Sequence, residues 1–123
     1  MPSLTNVLLL AVAGAAGTLL RAGCNALAVR LLGHAFPWGT LAVNLVGSFA
    51  FGAIYSLARS KAVSTEQEVV LLVGLLGGFT TYSSFAFQSA ELLASGRFLA
   101  ACGYVAATNL LGILAVWAGL KSV

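Results

Sequence analysis

Long apolar stretches dominate the sequence and restrict the chain to folds that a lipid bilayer surrounds. Hydrophobic residues make up 60% of the 123 residues and charged residues 7%, whereas a soluble domain is about 25% charged. A helix needs roughly 20 apolar residues to cross the hydrocarbon core. We therefore predict an all-α membrane protein with one transmembrane domain over residues 1–123. The first apolar run lacks a basic leader and continues to Arg21, so we expect it to be a helix and not a signal peptide.

Turn and capping residues divide the chain into four spans. Gly33 and Pro37 mark the first turn and Gly96 the third. Before the third span, Ser64–Gln67 and Thr65–Glu68 both fit a capping box. The predicted helices cover residues 5–32, 38–59, 66–94 and 98–120.

The third span is interrupted near its middle by the stretch Gly77-Gly78-Phe79-Thr80-Thr81-Tyr82-Ser83-Ser84-Phe85. Glycine permits unusual backbone conformations, and non-helical backbone at membrane depth is tolerated only where protein or water covers it. We predict that the helix breaks at Gly77–Thr80. Its freed carbonyls would be hard oxygen ligands that suit a hard cation.

Hydrogen-bond donors recur at helical spacing on the second and fourth spans. Thr40, Asn44 and Ser48 are four apart, and so are Tyr104 and Thr108. A cation or proton path normally contains acidic or histidine side chains, and spans one, two and four have no carboxylate. Hydroxyl and amide donors favour an anion instead; the alternative for Asn44 is a simple interhelical hydrogen bond.

Two aromatic residues of the third span, Tyr82 and Phe85, lie three apart on one helix face. Aromatic ring edges are electropositive and can face a small anion; ordinary helix packing is the alternative. Ser83 and Ser84 add hydroxyls beside them. In the first span, Arg21 either marks a functional site or extends its side chain to the interface. Both readings of Arg21 place the guanidinium in a wet vestibule.

Positive charge is almost evenly divided between the two ends of the four spans. Arg59, Lys61 and Lys121 fall on one side, and Arg30 and Arg97 on the other. Because the Lys/Arg bias sets orientation, we predict insertion in both orientations. Opposed copies could then pair as an antiparallel homodimer. The six dispersed basic residues form no nucleic-acid surface.

Enzymatic chemistry has little support in the sequence. Cys24 and Cys102 lie within apolar spans without metal-ligand spacing, and His34 has no carboxylate near it in sequence. We therefore predict that the protein is not an enzyme. The alternative transport function is a small four-helix, dual-topology drug/proton antiporter, which requires an acid in a central span; a scaffold subunit is the third possibility.

Three stretches together resemble one known family. They are the 77–85 stretch, the Gly39–Ser48 segment GTLAVNLVGS and the Gly17–Arg21 segment GTLLR. Their order, on four spans in a chain of this length, is similar to that of the Fluc (CrcB) fluoride channels over essentially the whole sequence.

The resemblance implies an antiparallel homodimer in a bacterial inner membrane, with two fluoride pores that give passive fluoride export. Tyr82 and Phe85 would form an aromatic box, faced by Asn44 as a donor. Backbone carbonyls of Gly77 and Thr80 would hold one structural sodium ion that is not transported. The polar track and vestibule would contain Ser83, Ser84, Tyr104, Thr108, Thr40 and, in the vestibule, Arg21.

Three residues depart from the family pattern. Tyr82 stands where the family usually has Phe, which adds a hydroxyl to an electropositive ring edge. Gln88 stands where Glu is common, and Gly112 where Ser sometimes occurs.

Overall fold

The computed structural model of the protein describes residues 2–123, which are all-helical with no strand in that range. The helices are α1 (Leu4–Leu32), α2 (Trp38–Arg59), α3 (Thr65–Val69), a π-helical segment (Val70–Leu75), α4 (Leu76–Phe79), α5 (Tyr82–Ala94) and α6 (Phe98–Lys121). Four helical stretches are long and apolar enough to cross a membrane, the third being the composite Thr65–Ala94. This confirms the predicted four-span, multi-pass architecture, and the bounds differ from the predicted ones by at most one residue.

The turns form where the sequence places glycine and capping residues. Gly33 and Gly96 have φ of 78° and 79°, the left-handed region that glycine enters without a steric penalty. Of the two possible capping boxes, the structure uses the one at Ser64. Its hydroxyl accepts from the Gln67 backbone N–H at 3.2 Å, and the Gln67 side chain accepts from the Ser64 N–H at 3.0 Å.

The alternative box is not used, because Thr65 is already the first residue of α3, and the Glu68 carboxylate bonds to another helix. It accepts from Arg59 Nη2 at 2.8 Å, and the Arg59 guanidinium also lies 4.9 Å from the centre of the Tyr55 ring. The Arg59–Glu68 ion pair therefore connects the end of α2 with the start of the third span.

Backbone-to-backbone packing at glycines brings the spans together in two places. A Cβ added at Gly17 of α1 would lie 2.1 Å from the Leu75 carbonyl oxygen. One added at Gly119 of α6 would lie 2.1 Å from the Phe49 carbonyl oxygen of α2. Small residues allow such close approach of membrane helices, and here they join α1 to the third span and α2 to α6.

The glycine pair of the third span has a different role from the predicted one. Gly77 and Gly78 lie inside α4 with helical conformation, so the predicted start of the break at Gly77 was wrong. A Cβ on Gly78 would lie 2.4 Å from the Gly14 carbonyl oxygen of α1. Gly78 therefore provides space for α1, and the chain leaves the helix later, at Thr80.

A π-helical turn precedes the break. The Leu76 N–H bonds to the carbonyl of Leu71, five residues earlier, in place of the usual partner four residues earlier. Short π segments of this kind often occur at functional sites. No local sequence pattern indicates this segment.

The protomer has a small apolar core beside the break. Its buried members are Leu41, Phe85, Leu92, Ala101 and Tyr104. Most other large apolar side chains are exposed, as expected where lipid covers the surface.

Candidate functional site: a broken membrane helix

The third span is broken at two threonines near its middle. Thr80 has φ −87° and ψ 158°, and Thr81 has φ −151° and ψ 118°. Both are extended. The Thr80 N–H still bonds to the Leu76 carbonyl at 2.9 Å, so the last hydrogen bond of α4 forms before the helix ends.

Beyond Thr80, two backbone donors bond outside the helical pattern. The Thr81 N–H donates to Asn44 Oδ1 at 2.8 Å, and the Ser84 N–H donates to the Thr81 hydroxyl at 3.2 Å. In a continuous helix these N–H groups would bond to the carbonyls of Gly77 and Thr80. Those two carbonyls therefore lose their helical donors, and they are the pair singled out as cation ligands.

The Asn44 side chain of α2 forms two hydrogen bonds with the backbone at the break, one from each end of its amide. Its oxygen accepts from the Thr81 N–H, and its Nδ2 donates to the Thr81 carbonyl at 3.0 Å. An Asn amide has two N–H bonds, so one remains to donate elsewhere.

The break places two helix ends of opposite polarity near mid-membrane. The carbonyl end of α4 carries partial negative charge, and the N–H end of the 13-residue α5 carries partial positive charge. Discontinuous membrane helices use such ends to bind ions of opposite sign. Thr81 caps α5 with its hydroxyl, and Tyr82 and Ser83 form the first exposed residues of that end.

The aromatic residues of the site form a continuous cluster. The Phe85 ring centre lies 5.8 Å from that of Tyr82 and 5.3 Å from that of Tyr104. Phe36 of the first turn meets Tyr104 edge-on at 5.4 Å. Tyr82 is 78% exposed and Phe85 8%, so one ring faces outward and the other faces the core.

Tyr104 is fully buried, and its hydroxyl donates to Gln88 Oε1 at 2.8 Å. The Gln88 position, where the sequence departs from the family pattern, therefore contacts the polar row of α6 directly. A neutral amide oxygen accepts this bond, so no charge is buried here.

Two buried hydroxyls of the polar rows lack partners. Thr40 Oγ1 of α2 and Thr108 Oγ1 of α6 have no hydrogen-bond partner among residues 2–123. Buried polar groups are nearly always bonded, and an exception calls for a ligand or water. These two oxygens lie on the helix faces where the sequence predicts an anion path.

An open cavity of about 420 Å³ lies beside the break. The predicted site residues that line it are Asn44, Gly77, Thr80, Tyr82, Phe85 and Thr108. Tyr104, Thr40, Ser83 and Ser84 lie outside this lining, although Ser83 and Ser84 contact the Thr81 hydroxyl at 3.4 and 3.1 Å. The structure thus brings the two predicted groups, carbonyl and donor, to one surface.

Arg21 lies apart from that cavity. It is half-buried in α1 and has no ion-pair partner among residues 2–123. It is one helical turn beyond Gly17, the residue where α1 meets the third span.

Metal-ligating side chains do not cluster in the described part of the chain. Residues 2–123 contain no group of three His, Cys, Asp or Glu side chains able to hold a metal. Cys24 and Cys102 are free and exposed.

Comparison with known proteins identifies the family. The family model for "CrcB-like protein, Camphor Resistance (CrcB)" matches residues 8–120. The chain belongs to the CrcB family. The CrcB match covers all four spans, from the first helical turns of α1 to the last turn of α6.

Relatives within the CrcB family are similar over nearly their full length. A protein from Rhizobium etli is 46% identical over 116 residues, 94% of this chain and 93% of the relative. One from Solidesulfovibrio magneticus is 44% identical over 90% of each chain, and one from Geobacter sulfurreducens 42% over 97% of each. All three are named fluoride-specific ion channel FluC.

Three residues of this CrcB site were not predicted from the sequence. Thr81, the cap and bonding partner of Asn44, could have been found as an N-cap candidate, because Thr is among the residues preferred at that position. Gln88 and Phe36 approach Tyr104 from distant parts of the chain. No local pattern indicates those contacts.

Proposed function

We propose that the protein is a fluoride-selective ion channel that gives passive fluoride export. The observation that carries this proposal is the 42–46% identity, over almost the whole chain, to CrcB-family relatives named as fluoride-specific channels. Like them, it is a transport protein and not an enzyme. The natural setting is a bacterial inner membrane.

The positive end of α5 supports anion binding near mid-membrane. Its first-turn N–H groups and the free N–H of Asn44 are donors within the bilayer, where no bulk water competes. Fluoride is small and strongly hydrated, so closely spaced donors must replace its water. The edges of Tyr82 and Phe85 add partial positive charge beside them.

The unpaired hydroxyls support a path beyond the aromatic residues. Thr40 and Thr108 can each donate to a passing anion without breaking an existing hydrogen bond. Tyr104 can donate only by leaving Gln88. The path we propose uses the residues predicted from the sequence: Asn44, Tyr82, Phe85, Ser83, Ser84, Tyr104, Thr108 and Thr40.

The carbonyls of Gly77 and Thr80 fit a structural sodium ion. Both lack their helical donors, and carbonyl oxygens suit hard cations. One chain offers two such oxygens, and two chains related by a two-fold axis at the break offer four. A bound sodium ion supplies the positive charge that joins the two carbonyl ends and offsets part of the cost of a nearby anion.

A second copy in the opposite orientation would cover the polar surface of the break. Tyr82 is 78% exposed and Ser83 is exposed, and polar groups at membrane depth need protein or water beside them. The almost equal basic charge at the two ends allows both orientations. We therefore propose an antiparallel homodimer with two pores, each entered through a vestibule containing Arg21.

Fluoride efflux from proteoliposomes tests the proposal. Vesicles loaded with potassium fluoride and given valinomycin should release fluoride rapidly when they contain the protein, and chloride-loaded vesicles should release little. Absence of fluoride release overturns the proposal. Proton-coupled drug uptake in its place would favour the four-helix antiporter.

Reporter fusions test the dual topology. A C-terminal reporter that is active only in the cytoplasm and one active only outside it should both give signal. Signal from only one of them overturns the antiparallel arrangement, whatever the outcome of the efflux experiment.

A further inference from the structure

We infer that Asn44 is a positioning residue that holds the third span broken, and that one face of α2 acts as the template for the break. Asn44 contributes both an acceptor and a donor to the backbone of a single residue, Thr81. The part of the inference that concerns the cation rests on the proposed function; the part that concerns the backbone does not.

The hydrogen bonds show why a side chain is needed at this position. Without Asn44, the nearest sequence-local acceptor for the Thr81 N–H is the Gly77 carbonyl, four residues earlier. Forming that bond would continue α4 by one residue and remove the Gly77 oxygen from the cavity. By accepting the Thr81 N–H at 2.8 Å, Asn44 competes with the helix and leaves the Gly77 oxygen free.

A second residue of α2 contributes independently. A Cβ placed on Gly47 would lie 2.2 Å from Thr80 Cγ2, so Gly47 leaves the space that the extended Thr80 occupies. Asn44 and Gly47 are three apart and therefore share one face of α2. One bonds Thr81 and the other accommodates Thr80, so this face matches the extended conformation of both residues.

Hydrogen exchange of the full-length protein in detergent tests the backbone part. The variants are Asn44→Leu, which removes both bonds, and Asn44→Ser, which can restore one. The control is Asn109→Leu, because Asn109 donates only to Val105 of its own helix, at 2.7 Å. The readout is exchange in peptides that contain the Thr81 amide, with α6 peptides as internal reference.

We expect exchange at Thr81 to rise by up to about tenfold in Asn44→Leu, the effect of losing one hydrogen bond, because the extended Thr80 packed against Gly47 keeps the Gly77 carbonyl from fully replacing Asn44 as the acceptor. The Thr81 exchange rate of Asn44→Ser should lie between those of Asn44→Leu and the unmodified protein. Asn109→Leu should leave the Thr81 exchange rate unchanged. Should Asn44→Leu fail to fold, Asn44→Ser carries the test. Unchanged Thr81 exchange in a folded Asn44 variant, or an equal rise with Asn109→Leu, overturns the inference.

Thermal stability in sodium compared with potassium chloride tests the link to the cation. Sodium should stabilise the unmodified protein and Asn109→Leu, and this increment should be smaller in Asn44→Leu because the Thr81 N–H then occupies the Gly77 oxygen for part of the time. An undiminished increment in Asn44→Leu overturns the link. Absence of the increment from the unmodified protein overturns the proposed sodium site alone, while the exchange measurement still decides the role of Asn44.

Discussion

Replacing Gly17 by alanine should separate α1 from the third span, and the size of the effect follows from the packing. A Cβ at Gly17 would lie 2.1 Å from the Leu75 oxygen and 2.8 Å from the Phe79 nitrogen. Ordinary van der Waals contact begins at 3.4 Å. The backbones must therefore move apart by roughly 1.3 Å, the difference between 3.4 and 2.1 Å, because backbone atoms have no rotamer change that relieves the clash.

Overpacking of this kind costs about 1–3 kcal/mol, and a backbone clash belongs at the upper end of that range. Alanine is a better helix former than glycine by about 1 kcal/mol, which offsets part of the loss. We expect Gly17→Ala to lower the free energy of unfolding by about 2 kcal/mol. Fluoride efflux should fall as well, because the displaced segment leads directly into the break.

Gly23→Ala is the matched control on the same helix. A Cβ at Gly23 would meet nothing within 4 Å, so the substitution should leave stability unchanged or raise it by up to about 1 kcal/mol. Reversible unfolding in mixed micelles, titrated with sodium dodecyl sulfate, measures both variants. If Gly17→Ala were as stable as Gly23→Ala, the proposed close packing of α1 on the third span would be wrong.

Three further predictions concern single side chains. Phe85→Ile should abolish fluoride efflux while the oligomeric state on size exclusion stays the same, because it removes a ring edge but keeps a buried apolar side chain; undiminished efflux would remove the ring from the path. Ser64→Ala should destabilise the start of the third span by about 1 kcal/mol through loss of its cap on Gln67, seen as faster hydrogen exchange there. Glu68→Gln should cost no more than about 1 kcal/mol, because Arg59 is 58% exposed, and a larger loss of stability would contradict that.

The spans themselves could be read from the sequence with good accuracy. Their apolar length and the turn glycines Gly33 and Gly96 act locally, so a short window of sequence contains the information. The bilayer supplies the remaining constraint on the spans. Each one must be a helix that satisfies its own backbone hydrogen bonds in lipid.

The sequence indicated which residue types form the site, but it indicated few of the contacts between them. The polar rows of α2 and α6 were visible because helical spacing is a local property. The bond from Tyr104 to Gln88 joins two spans, and no local rule pairs them.

The position of the break shows where local reasoning reaches its limit. Glycine is the residue most tolerant of unusual backbone conformations, so sequence alone favoured a break starting at Gly77. Yet glycine in a membrane also allows close packing, and Gly78 is used in that way against Gly14. The helix ends where a competing acceptor exists for the next N–H, and that acceptor is Asn44, 37 residues earlier in the chain. The break is therefore specified by the second span as much as by the third, and moving the amide along α2 should disrupt it even with the 77–85 stretch intact.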